Sequence, residues 1–572
     1  MPRYRLILLA IVRALRRASP VAFAFGISLL WLTLYNSRFW HETIAAMWRP
    51  SFEAAAFLAS VFVLALTLRA VLLLLLPTRF LMRLAASALF VIASVSSWFT
   101  QTYGAIMDKD MLRNVLETDA AEVSGLLNPD LMAHVLILGL APAVLVWTIR
   151  LPHKPWGVQL RQRVLAGLLA FTVATGGILG CSRDYAVYLR EYKPIRFTLS
   201  PAAPVWSALE LIAQGNRGAE RDRLANPAGA STRVAPAGGR PFVLFVVVGE
   251  TARAANFQLG GYSRATNPAL SRRHDLVYFS NATSCGTSTA FSVPCMFYHL
   301  SRAQFDPDEA GRYANLLDAL QDAGIQVEWR DNNAGCKGVC KRTETITYPA
   351  ERDSALCPNS YCYDEIMLDG REERLRTVTR DTVIVFHQIG SHGPAYAERY
   401  PPRFEIFKPA CRTHALQRCT SEEVVNAYDN TLVYTDYLLS RQMELLERFS
   451  DRLDGALIYA SDHGESLGEQ GIYLHGLPYA FAPRVQKEIP MLLWVSTSYA
   501  RRAGVDLECL KSHASRRVSH DFLYHTILGL AATRNSAYSP ELDLTYPCRG
   551  PSRLSRSHES PDLTPALIAP IH

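Results

Sequence analysis

Two regimes of hydrophobic patterning divide this chain of 572 residues. Through residue 181, apolar positions run in five long stretches, near 20–35, 53–76, 80–100, 131–149 and 162–181. Each is long enough to cross a bilayer as a helix, which takes about 20 residues. The first follows a basic stretch, as a signal peptide would, but four further spans behind it argue against removal. Beyond about residue 241 the apolar positions fall in short continuous runs, at 242–248, 325–329, 382–386, 456–460 and 491–495. Continuous runs predict strands buried on both faces, as in a mostly parallel sheet, and the helical periodicities between them predict an α/β sandwich. One of those helices is expected to begin at Thr420, whose spacing to Glu423 is that of a capping box. It would turn Val424, Tyr428, Thr431, Leu432, Leu438 and Leu439 inward.

The pattern sets the expected organisation: a membrane domain over 1–181, a bridge over 182–240, a globular domain over 241–548 and a Pro- and Ser-rich, disordered tail over 549–572. The bridge mixes Tyr185, Tyr188, Tyr192, Arg196, Phe197 and Trp206, which suits helices resting on a membrane surface. Residues 225–240 have the composition of a linker. Within the loop at about 101–130, residues 111–118 alternate at helical spacing. They predict either an amphipathic helix at the interface or a solvated connector.

Charge orients the spans. Arg3, Arg5, Arg13, Arg16 and Arg17 precede the first, and Arg150, Lys154, Arg161 and Arg163 follow the fourth, with no acid among them. The loop at 101–130 carries Asp108, Asp110, Glu117, Asp119, Glu122 and Asp130 against Lys109 and Arg113. Basic loops stay cytoplasmic, so the N-terminus is expected inside and everything after Cys181 outside. The net charge of +7 is modest, and no basic-aromatic stripe points to nucleic acid. Cysteine agrees with the outside assignment. Ten of the 11 fall in the second half, eight of them in close-spaced couples, the pattern of a disulfide framework in an oxidising compartment. The competing reading, structural zinc clusters, lacks a second Cys/His pair at the usual spacing.

The chemistry lies where the strands end, since open α/β sheets bind ligands beyond their carboxyl edges. Glu250 follows 242–248, Lys337 lies in the loop after 325–329, His392 follows 382–386, and Asp462 and His463 follow 456–460, with His475 further on. Glu250, Asp462 and His463 offer carboxylates and an imidazole, a set that suits Zn2+ better than Mn2+ or Mg2+. Three protein ligands leave a position open for a hydroxyl, and a bound cation favours its deprotonation. Thr287, Ser288 and Thr289 are equal candidates by residue chemistry. His392 and His475 would stabilise a second anion, protonate a leaving group or help hold a second metal. Lys337 would neutralise phosphoryl charge, or is a solvated loop lysine.

These residues lie within Gly249–Arg253 (GETAR), Ser284–Ala290 (SCGTSTA), Pro294–Phe297 (PCMF), Gly335–Cys340 (GCKGVC), Gly390–Pro394 (GSHGP) and Ser461–Gly468 (SDHGESLG). The set resembles the inner-membrane phosphoethanolamine transferases of Gram-negative bacteria that modify lipid A, and the resemblance covers nearly the whole chain. It implies five transmembrane helices followed by an alkaline-phosphatase/sulfatase-like α/β/α sandwich in the periplasm. It implies Thr289 as nucleophile, zinc on Glu250, Thr289, Asp462 and His463 with a second zinc left open, and Lys337, His392 and His475 on the substrate side. Asn114 and Thr118 match the family's lipid-binding loop, which favours a functional role for the 111–118 helix. Cys285–Cys295 matches a family disulfide, Cys336–Cys340, Cys357–Cys362 and Cys411–Cys419 are expected likewise, and Cys509–Cys548 follows by elimination. Phosphatidylethanolamine would be the donor, lipid A the acceptor, polymyxin resistance the consequence and a monomer the working form. A core sugar, another periplasmic glycan or phosphoglycerol transfer is the alternative.

Overall fold

The computed structural model describes residues 18–117, 126–152, 155–218, 225–234, 239–348, 355–358 and 362–550. Thr118, the basic N-terminal run, Lys154, Asp119, Glu122, residues 235–238 of the linker and the tail beyond 550 lie outside the described residues.

The long apolar stretches are helices: α1 (Pro20–Leu34), α2 (Ser37–Met47), α3 (Phe52–Leu74), α4 (Arg79–Thr102), α6 (Pro129–Thr148) and α7 (Trp156–Gly180), with the shorter α5 (Lys109–Glu117) before α6. Four of them are long and apolar enough to cross a membrane, and the pair α1 and α2, bent by 72°, passes the same test only when taken together, as a broken span or a re-entrant loop. The bend falls at Asn36, which is committed elsewhere. Its Nδ2 donates to Trp31 O at 2.7 Å and to Ser200 O at 2.9 Å, and its Oδ1 accepts from Ser200 N at 2.7 Å. A side chain near the head of the bundle thus holds the bridge, whose helices are α8 (Ser182–Glu191) and α9 (Ala202–Gly218).

The globular part is built on eight strands: β1 (Phe242–Gly249), β2 (Leu276–Thr283), β3 (Gln326–Asp331), β4 (Glu344–Thr347), β5 (Thr382–His387), β6 (Asp454–Ser461), β7 (Glu488–Val495) and β8 (Val518–Ser519), in spatial order β8-β2-β7-β6-β1-β5-β3-β4. Every residue of β1 is buried because strands pair with it in parallel on both sides and helical layers cover both faces. Alternate side chains feed opposite cores: Phe242, Leu244, Val246 and Val248 one, Val243, Phe245 and Val247 the other. Four elements depart from the reading of the sequence. β4 and β8 were not expected, since β4 is mostly exposed and β8 is only two residues long. β7 runs antiparallel to both neighbours, because an unbroken apolar run reports burial and not direction. β2 was not expected, since Ser280 and Asn281 are exposed and interrupt its apolar pattern.

Helix α10 (Thr289–Met296) follows the Cys285 segment, and α11 (Ser421–Glu447) packs on the β1–β6 face. Thr420 caps α11 in a capping box with Glu423, and the six residues expected inward are buried. Disulfides join Cys285–Cys295, Cys336–Cys340, Cys357–Cys362, Cys411–Cys419 and Cys509–Cys548, and Cys181 is the free cysteine among the described residues. The two halves meet where α5 packs against α9 and α10, where Tyr473 N donates to Tyr103 O at 3.0 Å, and where Ile106 packs with Leu477 and Ala482.

Burial and capping carry different weights. Leu244→Ala should lower the unfolding free energy by about 2–5 kcal/mol, and Thr420→Ala by about 1 kcal/mol. Denaturant titration of both variants checks this, and equal losses would contradict the central place given to β1.

Candidate active site

Register places the acidic residues. Gly249 of β1 pairs with Ser461 of β6, so the residues after them, Glu250 and Asp462, leave the sheet side by side. A Cβ at Gly249 would overlap the Tyr459 ring, so only glycine lets the two strands end this close to that side chain. The nearest ligand atoms of Glu250, Asp462 and His463 lie within 4.8 Å of one another, and all three residues are buried.

The hydrogen-bond roles show what this cluster lacks. His463 Nδ1 lies 3.0 Å from Gly464 O. A carbonyl only accepts, so Nδ1 carries the hydrogen and donates it. Burial pushes the His463 pKa down to about 4, so the ring is neutral and Nε2 is a bare lone pair. That lone pair lies 3.2 Å from Asp462 Oδ2 and 3.5 Å from Glu250 Oε1. Asp462 Oδ1 accepts from His463 N at 2.7 Å and Thr251 N at 3.2 Å, whereas buried Oδ2 accepts no hydrogen bond. Burial first, then the charge of Asp462, raises the Glu250 pKa, and burial raises that of Asp462 to about 7. Two carboxylates and an imidazole lone pair converging on one point fit a cation, and the mixed oxygen and nitrogen donors fit zinc.

Thr289 completes the cluster from the first turn of α10. Its Oγ1 donates toward Glu250 Oε2 at 3.1 Å, with Oε1 at 3.3 Å and His463 Nε2 at 3.4 Å. The hydroxyl of Thr287 is occupied elsewhere, donating to Leu477 O at 2.5 Å. The structure therefore separates two residues that residue chemistry left equal.

The histidines gather beside this cluster. The His475 ring lies 4.3 Å from that of His463 and 5.4 Å from that of His392. His475 Nδ1 is 2.8 Å from Glu465 Oε2, and Glu465 Oε1 accepts from the Tyr396 hydroxyl at 2.6 Å. Lys337 lies in the loop closed by Cys336–Cys340, where its Nζ donates to Ala334 O at 3.0 Å. Asn114 is on α5, half-buried, and α5 packs against the helix of Thr289.

Three supporting groups escaped the sequence reading. Asn333, in the Lys337 loop, donates from Nδ2 to Glu250 Oε2 at 2.7 Å and to Gln388 O at 2.8 Å, which fixes the carboxylate. His387 pairs with Asp331 at 3.1 Å directly behind Asn333. His520 spans two catalytic segments: Nδ1 accepts from Cys285 N at 3.0 Å, and Nε2 donates to Ser461 O at 2.9 Å. Asn333 follows β3 and His387 ends β5, and both could have been marked by that position. His520 follows a strand only two residues long and carried no signal.

The Sulfatase family pattern matches residues 242–533, and the pattern of phosphoethanolamine transferase EptA/EptB matches residues 62–215. Phosphoethanolamine transferase EptA of Escherichia coli (strain K12) is 39% identical over 479 residues, 81% of this chain and 85% of that protein. Phosphatidylethanolamine transferase Mcr-1 of Escherichia coli is 37% identical over 425 residues, 73% of this chain and 79% of that protein. Among solved structures, the integral membrane lipooligosaccharide phosphoethanolamine transferase A (EptA) from Neisseria meningitidis superposes with a TM-score of 0.90 at 34% identity, over 94% of this chain and all of that one. With a relative this similar across four fifths of its length, a sulfatase-like domain and a membrane-helical N-terminal region, the chain belongs to the EptA/EptB phosphoethanolamine transferase family.

Proposed function

We propose that this protein transfers phosphoethanolamine from phosphatidylethanolamine to a phosphate of lipid A, through a phosphoethanolamine ester of Thr289. The observation that carries the reading is the Thr289 hydroxyl set 3.1 Å from Glu250 in a buried cluster where two carboxylates and an imidazole converge. The relatives' names support the donor, and the name of the Neisseria protein supports a lipid A-type acceptor. Glu250, Thr289, Asp462 and His463 would hold one zinc ion, which when bound supplies the Lewis acidity that eases loss of the threonine proton.

The chain's own residues divide the remaining work. Thr289 Oγ1 gives its proton to Glu250 Oε2, 3.1 Å away, and attacks the donor phosphorus; the Oγ1–P bond forms, the bond from phosphorus to the glycerol oxygen breaks, and Glu250 returns the proton when the Oγ1–P bond later breaks. His475, held through Nδ1 by Glu465, gives a proton from Nε2 to that oxygen, and diacylglycerol departs. His392 and Lys337 balance charge on the phosphoryl oxygens. An oxygen of a lipid A phosphate then attacks the same phosphorus, the Oγ1–P bond breaks, and Thr289 is restored. Asn333 keeps Glu250 in place throughout. Asn114 and Thr118 would meet the donor lipid. Both substrates are lipids, which explains a catalytic domain resting on spans. The loop charges support a cytoplasmic N-terminus, and the cysteines support a periplasmic catalytic domain. The enzyme acts as a monomer in the inner membrane, and the added amine lowers the negative charge met by cationic peptides.

Thr289→Ala should reduce transfer by at least about a thousandfold while the protein accumulates normally. Mass spectrometry of lipid A checks it, and substantial residual product would move the nucleophile elsewhere. Gently purified protein should contain zinc, and chelation should lower both its melting temperature and its activity, with zinc restoring both. Elemental analysis finding no metal in active enzyme would overturn the ligand set. Thiol labelling of intact protein should modify none of the ten cysteines beyond Cys181, and labelling among them would refute the periplasmic assignment.

A further inference from the structure

We propose that Arg302 and Lys487 form an anion subsite that holds a phosphate of the glycolipid acceptor, displaced from Thr289 along the paired segments 284–287 and 475–479. This rests on the transferase reading above. The Arg302 guanidinium lies 3.5 Å from the centroid of the Tyr479 ring, and Lys487 Nζ lies 5.3 Å from the same centroid. All three are anchored: Arg302 Nε donates to Cys285 O at 2.6 Å, Lys487 Nζ to Tyr479 O at 3.3 Å, and the Tyr479 hydroxyl to Ser284 O at 3.0 Å.

This is an unbalanced arrangement. Two half-buried cations share one ring, and burial first, then the charge of Arg302, lowers the Lys487 pKa. Three carboxylates face them, each engaged elsewhere. Asp521 Oδ1 accepts from the Arg302 backbone amide at 2.9 Å. Asp110 of α5 lies 3.4 Å from Arg113, and Glu488 accepts from Arg484 Nε at 2.6 Å. Among the described residues none of the three forms an ion pair with the Arg302 or Lys487 side chain. A guanidinium fork and an ammonium held against one ring suit a phosphate, which each kind of group binds through charge-assisted hydrogen bonds.

The position identifies the substrate. Segments 284–287 and 475–479 run side by side, joined by Gly476 N to Thr287 O at 2.7 Å, Thr287 Oγ1 to Leu477 O at 2.5 Å and Tyr479 to Ser284. One end of this strip leads to Thr289 and His475, and the other carries the basic pair. Four residues span at most about 14 Å, so an anion on the pair stays within a lipid headgroup's reach of the nucleophile. Phosphatidylethanolamine has a single phosphate, and that phosphate must sit at Thr289 to be attacked. A second phosphate position therefore belongs to the acceptor.

The test uses full-length enzyme in neutral detergent micelles with a fluorescent phosphatidylethanolamine and lipid A, reading diacylglycerol release and lipid A labelling separately. Lys487→Glu should raise the KM for lipid A by about tenfold or more and leave the KM for the donor unchanged, whereas Lys487→Arg should keep both near the wild-type values. Arg302→Lys, which keeps the charge and loses the Nε hydrogen bond, should raise the lipid A KM less than Lys487→Glu does. An unchanged lipid A KM in Lys487→Glu, or an equal rise in donor KM, overturns the subsite. A rise that appears only after phosphatidylglycerol is added assigns the pair to the bilayer surface and overturns it as well. Wild-type enzyme that releases diacylglycerol yet never labels lipid A sinks the acceptor reading, and this subsite with it.

Discussion

Two buried carboxylates and a bare imidazole nitrogen within 4.8 Å of one another set the terms for the rest of the molecule. Like charges at that separation repel by about 3.5 kcal/mol at an effective dielectric of 20, a large share of a domain's net stability of about 5–15 kcal/mol. The repulsion is relieved only if something positive sits between the groups or one of them stays protonated. The protein instead spends its architecture on holding them together. β1 and β6 are paired in parallel to their last residues, Gly249 admits the Tyr459 ring, Asn333 pins one carboxylate, and two backbone amides pin one oxygen of the other. A site held this rigidly against its own electrostatics is preorganised for charge that arrives with ligand and substrate.

His520 adds a second kind of control. It is fully buried, its pKa is pushed down to about 4 mainly by burial, and its two ring nitrogens connect the Cys285 amide to the Ser461 carbonyl. The Cys285–Thr289 segment and the Asp462–His463 segment come from distant parts of the chain, and this one neutral ring ties them. The Cys285–Cys295 disulfide closes the same segment covalently.

Much of this was legible in the sequence because burial on both faces leaves a clear signature. The runs at 242–248, 382–386 and 456–460 gave β1, β5 and β6, and the residues after them gave Glu250, His392, Asp462 and His463. The bilayer imposes a similar signature, so the spans were readable as well. β2 was hidden because half of its outer stretch is solvated, and the direction of β7 was hidden because hydrophobicity carries no polarity along the chain. Within the site, what escaped were groups whose role is contact across the sequence: Asn333 on Glu250, His520 on Cys285 and Ser461, and Arg302 on Cys285. Thr287 and Thr289 differ only in what their hydroxyls touch, and no local pattern encodes that.

The bond from Tyr473 N to Tyr103 O joins the strand before His475 to the chain leaving α4. Ile106 continues this seam against Leu477 and Ala482. One wall of the reaction chamber is therefore lent by the lipid-embedded half. A fragment cut free at the linker would keep the cluster of Glu250, Asp462 and His463 but leave the His475 segment without its scaffold. Such a fragment would be a sound object for studying metal affinity and a poor one for measuring turnover.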